Sequence, residues 1–195
     1  MYEGQEHAYP GAGSPVLKLN GSFIRTDDSW DGNLLPLLAN ATNAFNCPSV
    51  RNRDWVSPVR KDDYGYNANG VCRFYDFTHN LGLGYGSHNI DGKYIQATGP
   101  EVIRSGDVRA PSDMIAIGDL QMPSGLWINI IRPNVLAEQY GGLKSVLAGR
   151  HGNGANVLFC DGHVEFGKLD RWNAPSNPAR QRWNNDHDPH AEIWR

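Results

Sequence analysis

Apolar and polar residues alternate most clearly near the C-terminus, on both sides of Asp161-Gly162. Asp-Gly between two such runs is a strong signal for a β-hairpin with a two-residue turn, because both turn positions favour positive φ. With this turn, Phe159 faces Val164 across the hairpin. Alternation then places four apolar side chains on one face: Val157, Phe159, Val164 and Phe166. The pattern predicts an antiparallel hairpin that packs on the core through that face.

Other apolar runs predict two more strands and two short helices. Residues 114–119 form an apolar run between chain breakers, which is typical of a buried strand, and we expect it beside the hairpin. Residues 126–131 are a second candidate strand. Residues 29–38 have helical spacing, but Pro36 requires that the helix start near Asn33 or break there. Residues 134–148 are compatible with a short helix, although paired glycines disfavour it.

The middle of the chain is dominated by turn-forming residues. Residues 46–106 are rich in Gly, Asn, Asp and Pro, which predicts long ordered loops with short strands. The glycine-rich stretch at 82–86 lacks the Lys-Ser/Thr ending of a phosphate-binding loop. No repeat or linker divides the sequence, and 195 residues fit one core. We therefore expect a single α+β domain over residues 1–195.

Charge and composition exclude some classes of partner. The formal net charge is −3, so the chain lacks the basic field on which nonspecific nucleic-acid binding depends. We expect no nucleic-acid partner. No apolar run reaches the length of about 18 residues needed to span a membrane. The three cysteines are an odd number and do not indicate a disulfide framework.

His151, nine further residues and Asp161-Gly162 form a spaced motif. The motif resembles the prepilin-type H-x9-DG domain family, whose members are similar to type II secretion pseudopilins and type IV pilins. Other elements support the resemblance: Cys47-Pro48-Ser49, Pro111-Ser112 before a strand that ends in Gly118-Asp119, and the closing Arg182-Trp183-Asn184 run.

The resemblance implies a pilin-like fold, in which a long N-terminal helix packs on an antiparallel sheet. Residues 1–8 would then be the end of that helix, and residues 182–195 a tail packed on the sheet. The implied function is that of a non-enzymatic structural subunit of an extracytoplasmic filament or secretion pseudopilus. Its partners would be other pilin-like subunits, and the hydrophobic helix of the full-length protein would anchor it in the inner membrane before assembly.

The motif residues His151, Asp161, Gly162 and His163 are interpreted as structural. An extended strand rises about 3.3 Å per residue, so it would hold His151 and Asp161 roughly 20 Å or more apart, too far to share a metal ion or a proton. If the hairpin pairing continues, the His151 ring falls near residues 170–172. Under the resemblance, Asp119 lies at a strand end, where its side chain can reach a loop or an ion.

The extracytoplasmic location that the resemblance implies would allow a Cys47–Cys72 disulfide. The alternative is that both cysteines are small buried apolar side chains. If the disulfide forms, Cys160 beside the turn is left as a thiol. Nothing around any cysteine indicates an activated thiolate.

Two metal sites are candidates in the C-terminal segment. Calcium prefers oxygen ligands, and the segment offers three carboxylates: Asp186, Asp188 and Glu192. Pseudopilins that bind calcium in their C-terminal region make this site attractive, and the alternative is that these charges are solvated or paired with arginines. Imidazoles suit zinc, so a zinc-dependent hydrolase is a second hypothesis, with the candidate ligands His163, His187 and His190.

A surface adhesin or glycan-binding module is the third class, because exposed aromatic rings bind sugars by stacking. The candidate rings recur every eleven residues at Trp172, Trp183 and Trp194. The intervening Pro and Asn residues disfavour a helix that would display them together. The alternative is that these tryptophans anchor the tail on the sheet.

Overall fold

The computed structural model describes residues 8–10, 16–17, 23–24, 30–39, 41–49, 63–71, 79–84, 88–90, 93–95, 103–121, 131–133 and 146–193. Its strands are β1 (Val16–Leu17), β2 (Phe23–Ile24), β3 (Tyr64–Tyr66), β4 (His88–Ile90), β5 (Lys93–Ile95), β6 (Ile115–Gln121), β7 (Val146–Leu147), β8 (Gly154–Phe159) and β9 (Val164–Lys168). Its α-helices are α1 (Trp30–Leu34), α2 (Leu169–Asn173) and α3 (Asn177–Gln181). Short 3₁₀ helices span Leu35–Leu38, Thr42–Phe45 and Ser105–Asp107.

The main sheet is antiparallel and has the strand order β3-β6-β8-β9, with β7 paired to the end of β6. The predicted strand at 114–119 corresponds to β6, which pairs with the first strand of the predicted hairpin. Two separate two-stranded pairs, β1-β2 and β4-β5, lie outside this sheet. The α+β class expected from the sequence is confirmed.

The hairpin around Asp161-Gly162 is present, but its predicted register is wrong by one residue. Leu158 pairs with Val164, and the N–H of Phe159 donates to the carbonyl of His163 at 2.9 Å. The turn therefore contains three residues, Cys160 to Gly162. The N–H of Gly162 donates to the carbonyl of Phe159 at 3.0 Å, and Gly162 has φ +94°. A turn closed by one residue of positive φ is the usual three-residue hairpin loop.

The shifted register reverses the face of β9. Val157 and Phe159 are buried as predicted, whereas Val164 is 63% exposed and Phe166 is 51% exposed. Because side chains alternate along a strand, a slip of one residue moves a whole apolar set to the other face. The prediction that Val164 and Phe166 face the core is therefore wrong.

Several other boundaries differ from those predicted. The helix near residue 30 begins at Trp30, and the chain continues as the 3₁₀ turn that contains Pro36. The end of the candidate helix at 134–148 is instead strand β7, and residues 134–145 lie outside the described residues, as do residues 122–130. Residues 1–7 are also outside them, and Ala8 pairs with Arg104 in an antiparallel bridge. The helix expected over residues 1–8 therefore does not include Ala8.

Two apolar clusters pack against the main sheet. Ile115 and Ala116 are neighbours on β6 but belong to different clusters, as alternation along a strand requires. The first cluster includes Val157, Trp172 and Trp183. The second includes Trp30, whose ring stacks on that of Tyr66 with the centroids 5.7 Å apart. The sheet is thus buried on both faces around β6.

Buried asparagines attach the C-terminal tail to this core. The amide of Asn67 donates to the carbonyls of Ile115 at 2.7 Å and Trp183 at 2.9 Å, and its oxygen accepts the N–H of Gly70 at 3.0 Å. Asn185 donates in the same way to two carbonyls of the loop at 79–84. The start of the expected tail, from residue 182, therefore lies against the sheet through specific hydrogen bonds as well as apolar burial.

We expect Asn67→Ala to lower the free energy of unfolding by about 3 kcal/mol, because it leaves three buried backbone groups unpaired at roughly 1–3 kcal/mol each with incomplete additivity. Urea denaturation followed by tryptophan fluorescence measures the change. Asn177→Ala, at an exposed position, is the control and should change stability by less than about 0.5 kcal/mol. Equal effects of the two substitutions would contradict the role given to Asn67.

Gly162→Ala should destabilise the protein by about 1 to 3 kcal/mol, because φ +94° is strained for any residue with a Cβ. Gly106→Ala is a matched control. A Cβ at either glycine meets no atom within 4 Å, but only Gly162 has a positive φ. Thermal unfolding of both variants separates backbone strain at Gly162 from the general effect of replacing a glycine by alanine. An unchanged unfolding midpoint for Gly162→Ala would refute the turn geometry.

Candidate functional site

His151 lies at a reversal of the chain just before β8. Gly152 and Asn153 both have φ of +60°, and His151 and Gly154 exchange two backbone hydrogen bonds of 3.1 and 3.2 Å. These are the features of a two-residue turn with both central residues in the left-handed region. The strand pairing ends at Gly154 and Lys168, so the continued hairpin pairing that would place the ring near residues 170–172 is not present.

The His151 ring instead lies among side chains from two distant segments. Its Nε2 is 3.7 Å from Sγ of Cys47 and 3.4 Å from Oδ2 of Asp119. Its Nδ1 is 3.4 Å from the hydroxyl of Ser49. One ligand atom each from Cys47, Asp119 and His151 lie within 4.8 Å of one another. We call these three residues the Cys47–Asp119–His151 cluster.

Asp63 and Arg150 hold the surroundings of the cluster in place. The backbone N–H of Cys47 donates to Oδ2 of Asp63 at 2.7 Å, and the other oxygen of that carboxylate is 3.1 Å from Nη1 of Arg150. Arg150 also donates to the carbonyl of Leu120. Because Arg150 precedes His151 and Leu120 follows Asp119, this network ties all three parts of the cluster together.

Asp119 is the charged member of the cluster that lies within the sheet. Its side chain is fully buried on β6, where Oδ2 accepts the N–H of Asn156 at 2.7 Å. Oδ1 is also buried and has no hydrogen-bond partner within the described part of the chain. Burial raises the pKa of Asp119, while the Asn156 hydrogen bond and His151 oppose that rise. A buried carboxylate with an unsatisfied oxygen is costly and requires compensation by a neighbouring charge.

The members of the cluster were recognised in the sequence, but their proximity was not. Cys47-Pro48-Ser49, Asp119 and His151 each belong to an element of the family resemblance. The two-residue spacing in Cys-Pro-Ser lets Cys47 and Ser49 approach opposite nitrogens of one ring. Gly152-Asn153 was the local signal for the reversal, since Gly-Asn is a recognised hairpin dipeptide. No local pattern connects the three segments.

The other half of the motif has a local structural role. Oδ1 of Asp161 accepts the N–H of His163 at 3.1 Å and lies 2.6 Å from Nδ1 of its ring. That ring stacks on Phe159 with a centroid distance of 4.3 Å. Asp161 and His151 lie beyond opposite ends of β8 and have different partners. The structure thus keeps them apart, as expected.

Of the other two cysteines, Cys160 lies in the described part of the chain and is not a member of the cluster. Cys72 lies outside the described residues, and the expected Cys47–Cys72 disulfide therefore lies outside them too. Cys160 is a thiol in the hairpin turn, and burial raises its pKa to about 12. Because the thiolate is the reactive form, Cys160 should be a poor nucleophile at neutral pH.

Two of the three carboxylates proposed for calcium contact the same histidine. Asp186 and Glu192 approach opposite nitrogens of His190, at 2.7 and 3.3 Å. The backbone N–H of Asp188 donates to the other oxygen of Asp186 at 3.0 Å. Asp186 and Glu192 are thus both hydrogen-bonded to one histidine ring. Calcium binding by the three residues stays a prediction.

The histidines proposed for a zinc hydrolase do not come together. His163 contacts Asp161, His190 contacts Asp186, and His187 lies 3.8 Å from Asp113. Two of the tryptophans proposed for a glycan site, Trp172 and Trp183, are fully buried, and Trp194 lies outside the described residues. Their tail-anchoring alternative fits the indole of Trp183, which donates to the carbonyl of Trp172 at 2.9 Å.

Comparison with protein-family models, curated proteins and solved structures gives no match for this chain. Among the helices of the described segments, none has the length and apolar character needed to cross a membrane. Function must therefore be inferred from the residues themselves.

Replacing Asp161 by Asn should lower the pKa of His163. The Asp161 carboxylate raises that pKa, mainly through the side-chain hydrogen bond, and His163 in turn lowers the pKa of Asp161. NMR titration of the His163 ring protons measures the effect. Asp188→Asn is the control, and it should leave the His163 titration unchanged.

The same pair sets a pH window for the hairpin. The contribution of His163 is lost as pH rises through its raised folded pKa, and that of Asp161 is lost as pH falls through its lowered one. Both are therefore fully present between about pH 4 and pH 6.5, the ordinary values of the two groups. If the difference in unfolding free energy between wild type and Asp161→Asn is the same inside and outside this pH window, the assignment is contradicted.

Proposed function

We propose that this chain is a non-enzymatic structural subunit of an extracytoplasmic pilin-like filament or a type II secretion pseudopilus. The observation that carries the proposal is the use of the H-x9-DG residues in this fold. Asp161 and Gly162 form the hairpin turn, and His151 packs beside the turn that starts the same strand. The Asp161-Gly162 half of the motif thus acts on the backbone of the chain itself.

The separation of these residues favours assembly over chemistry. An active site needs acid, base or nucleophile side chains within hydrogen-bond reach of one another and of a substrate. Here the two halves of the motif lie beyond opposite ends of β8, and the Asp161–His163 pair is engaged in its own turn. This arrangement supports a structural role for the motif, in agreement with the resemblance.

The outer face of β9 offers a surface for contact between subunits. β9 is an edge strand of the main sheet within the described residues, and it exposes Val164 and Phe166. Exposed apolar residues on an edge strand promote association with another chain. We propose other pilin-like subunits as the partners, with membrane contact made only by the hydrophobic N-terminal helix that the resemblance implies. The net charge of −3 disfavours nucleic acid as a partner.

Gold-labelled antibodies against this chain should decorate thin filaments at the surface of the native cells, in which the protein is expressed from the chromosomal gene. Mechanical shearing should release the same antigen into the medium. Electron microscopy and immunoblotting measure the two results. Antigen confined to the cytoplasm would refute the proposed location and the filament together.

The Val164→Lys/Phe166→Lys double variant should reduce the sheared filament fraction severalfold, because two charges then lie on the proposed contact face. Leu37→Lys/Leu38→Lys is the matched control, since this pair is also exposed, at 60% and 39%, but lies outside the sheet. Circular dichroism of both purified chains checks that they fold. If the two double variants assemble equally, β9 is not the contact surface.

A further inference from the structure

Two potential ligand atoms of the Cys47–Asp119–His151 cluster lie next to the same nitrogen of the histidine ring. Sγ of Cys47 and Oδ2 of Asp119 both lie next to Nε2, whereas Nδ1 faces Ser49. In a nucleophile-histidine-carboxylate triad, the nucleophile and the carboxylate contact opposite ring nitrogens, so that one nitrogen accepts the nucleophile's proton while the carboxylate orients the ring through the other. The Cys47–Asp119–His151 cluster does not have this arrangement. Sulfur, nitrogen and oxygen instead surround a common point.

The distances fit a metal ion at that point. Zinc binds thiolate sulfur at about 2.3 Å, imidazole nitrogen at about 2.0–2.1 Å and carboxylate oxygen at about 2.0–2.2 Å, with tetrahedral geometry. These bond lengths place sulfur about 3.6 Å from nitrogen, and nitrogen about 3.4 Å from oxygen. The corresponding separations in the cluster are 3.7 and 3.4 Å. Two of the three separations between ligand atoms therefore match those of zinc ligands, and the third is within 4.8 Å.

Burial gives an independent reason to place a cation here. The Asp119 side chain is fully buried, and its Oδ1 has no hydrogen-bond partner within the described residues. Cys47 is also fully buried, and His151 is partly exposed. A divalent cation bound at Oδ2 would neutralise the charge of the whole carboxylate, including the unpartnered Oδ1, in a place that water cannot freely solvate. The partly exposed ring would leave the ion a route of entry.

We propose that Cys47, Asp119 and His151 bind a thiophilic divalent transition-metal ion, of which Zn²⁺ is the representative. Thiolate and imidazole together select zinc-like ions over calcium and magnesium, which prefer oxygen alone. On binding, Cys47 loses its thiol proton to the solvent, and the sulfur coordinates as thiolate. The site is distinct from the calcium site expected in the tail, and it does not depend on the proposed filament.

The neighbouring residues suit this role. The Ser49 hydroxyl, 3.4 Å from Nδ1, can orient the ring so that Nε2 faces the ion, as outer-shell partners of metal-bound histidines do. Asp63 holds the backbone of Cys47 through its N–H. The ion would join three segments: the loop after the 3₁₀ helix at Thr42–Phe45, strand β6, and the turn before β8. We therefore assign it a stabilising role.

Metal titration of the purified, reduced and chelator-treated chain tests the proposal. Each chain should bind one Zn²⁺ or one Co²⁺ ion, and either ion should raise the unfolding temperature. Bound Co²⁺ should show a thiolate charge-transfer band and the visible bands of tetrahedral geometry. X-ray absorption of the zinc-loaded wild type should give one sulfur at about 2.3 Å and nitrogen or oxygen ligands at about 2.0–2.2 Å.

Substitutions separate this site from other thiols, carboxylates and histidines. Loss of an outer-shell partner typically weakens metal binding by roughly 10- to 100-fold, and we expect about tenfold for Ser49→Ala. Loss of a ligand should weaken zinc binding by more than that range, as tested by Cys47→Ser, Asp119→Asn and His151→Gln. Three controls from the hairpin match these residue types one for one: Cys160→Ser, Asp161→Asn and His163→Gln. Each control should bind zinc as the wild type does.

Three results would overturn the proposal. One is a zinc environment without sulfur, or affinity unchanged by Cys47→Ser, since both would indicate adventitious binding by surface histidines. Another is a Cys47–Cys72 disulfide in protein isolated without reductant, detected by mass spectrometry after alkylation. The third is the loss of affinity in the hairpin controls as well. If the cluster variants fail to fold, the absorption spectrum of the wild type still decides whether sulfur is a ligand.

Discussion

A fully buried carboxylate at the centre of the main sheet is the constraint around which this fold is arranged. Asp119 lies on β6, between β3 and β8, where desolvation disfavours its charged form. The fold compensates with the N–H of Asn156 from β8 and with the ring of His151 from the turn before it. A side chain of this kind in an apolar sheet requires that the elements around it be positioned precisely.

The surrounding segments can be understood from this requirement. The loop that carries Cys47 and Ser49 contacts both nitrogens of the His151 ring. Asp63 and Arg150 hold that loop against β6. The left-handed pair Gly152–Asn153 reverses the chain so that His151 points inward. The hydrophobic clusters supply the bulk of the burial, but the polar network determines which loop lies against which strand.

Local signals were sufficient for some elements and insufficient for their alignment. The apolar run at 114–119 and the Asp-Gly turn correctly predicted β6 and the hairpin, because each depends on a few adjacent residues. The register was missed because Asp-Gly occurs in both two-residue and three-residue turns. The three-residue turn is identified by the backbone, in which Gly162 has a positive φ and Asp161 does not. The cluster was missed because Cys47, Asp119 and His151 are brought together by the sheet and not by spacing. No sequence period reports such contacts.

The hydrogen bonds of the tail also have a consequence for the order in which the chain can fold. Asn67 is bonded to Trp183 across 116 residues, and Trp172 and Trp183 complete the apolar cluster that covers β8. Contacts of such long range slow folding, because loop closure precedes the energetic gain. During synthesis, β3 and β6 emerge well before the residues that cover them. The nascent chain therefore has to remain incompletely folded until residue 183 has left the ribosome, and a truncation before that residue would leave a sheet with an exposed core.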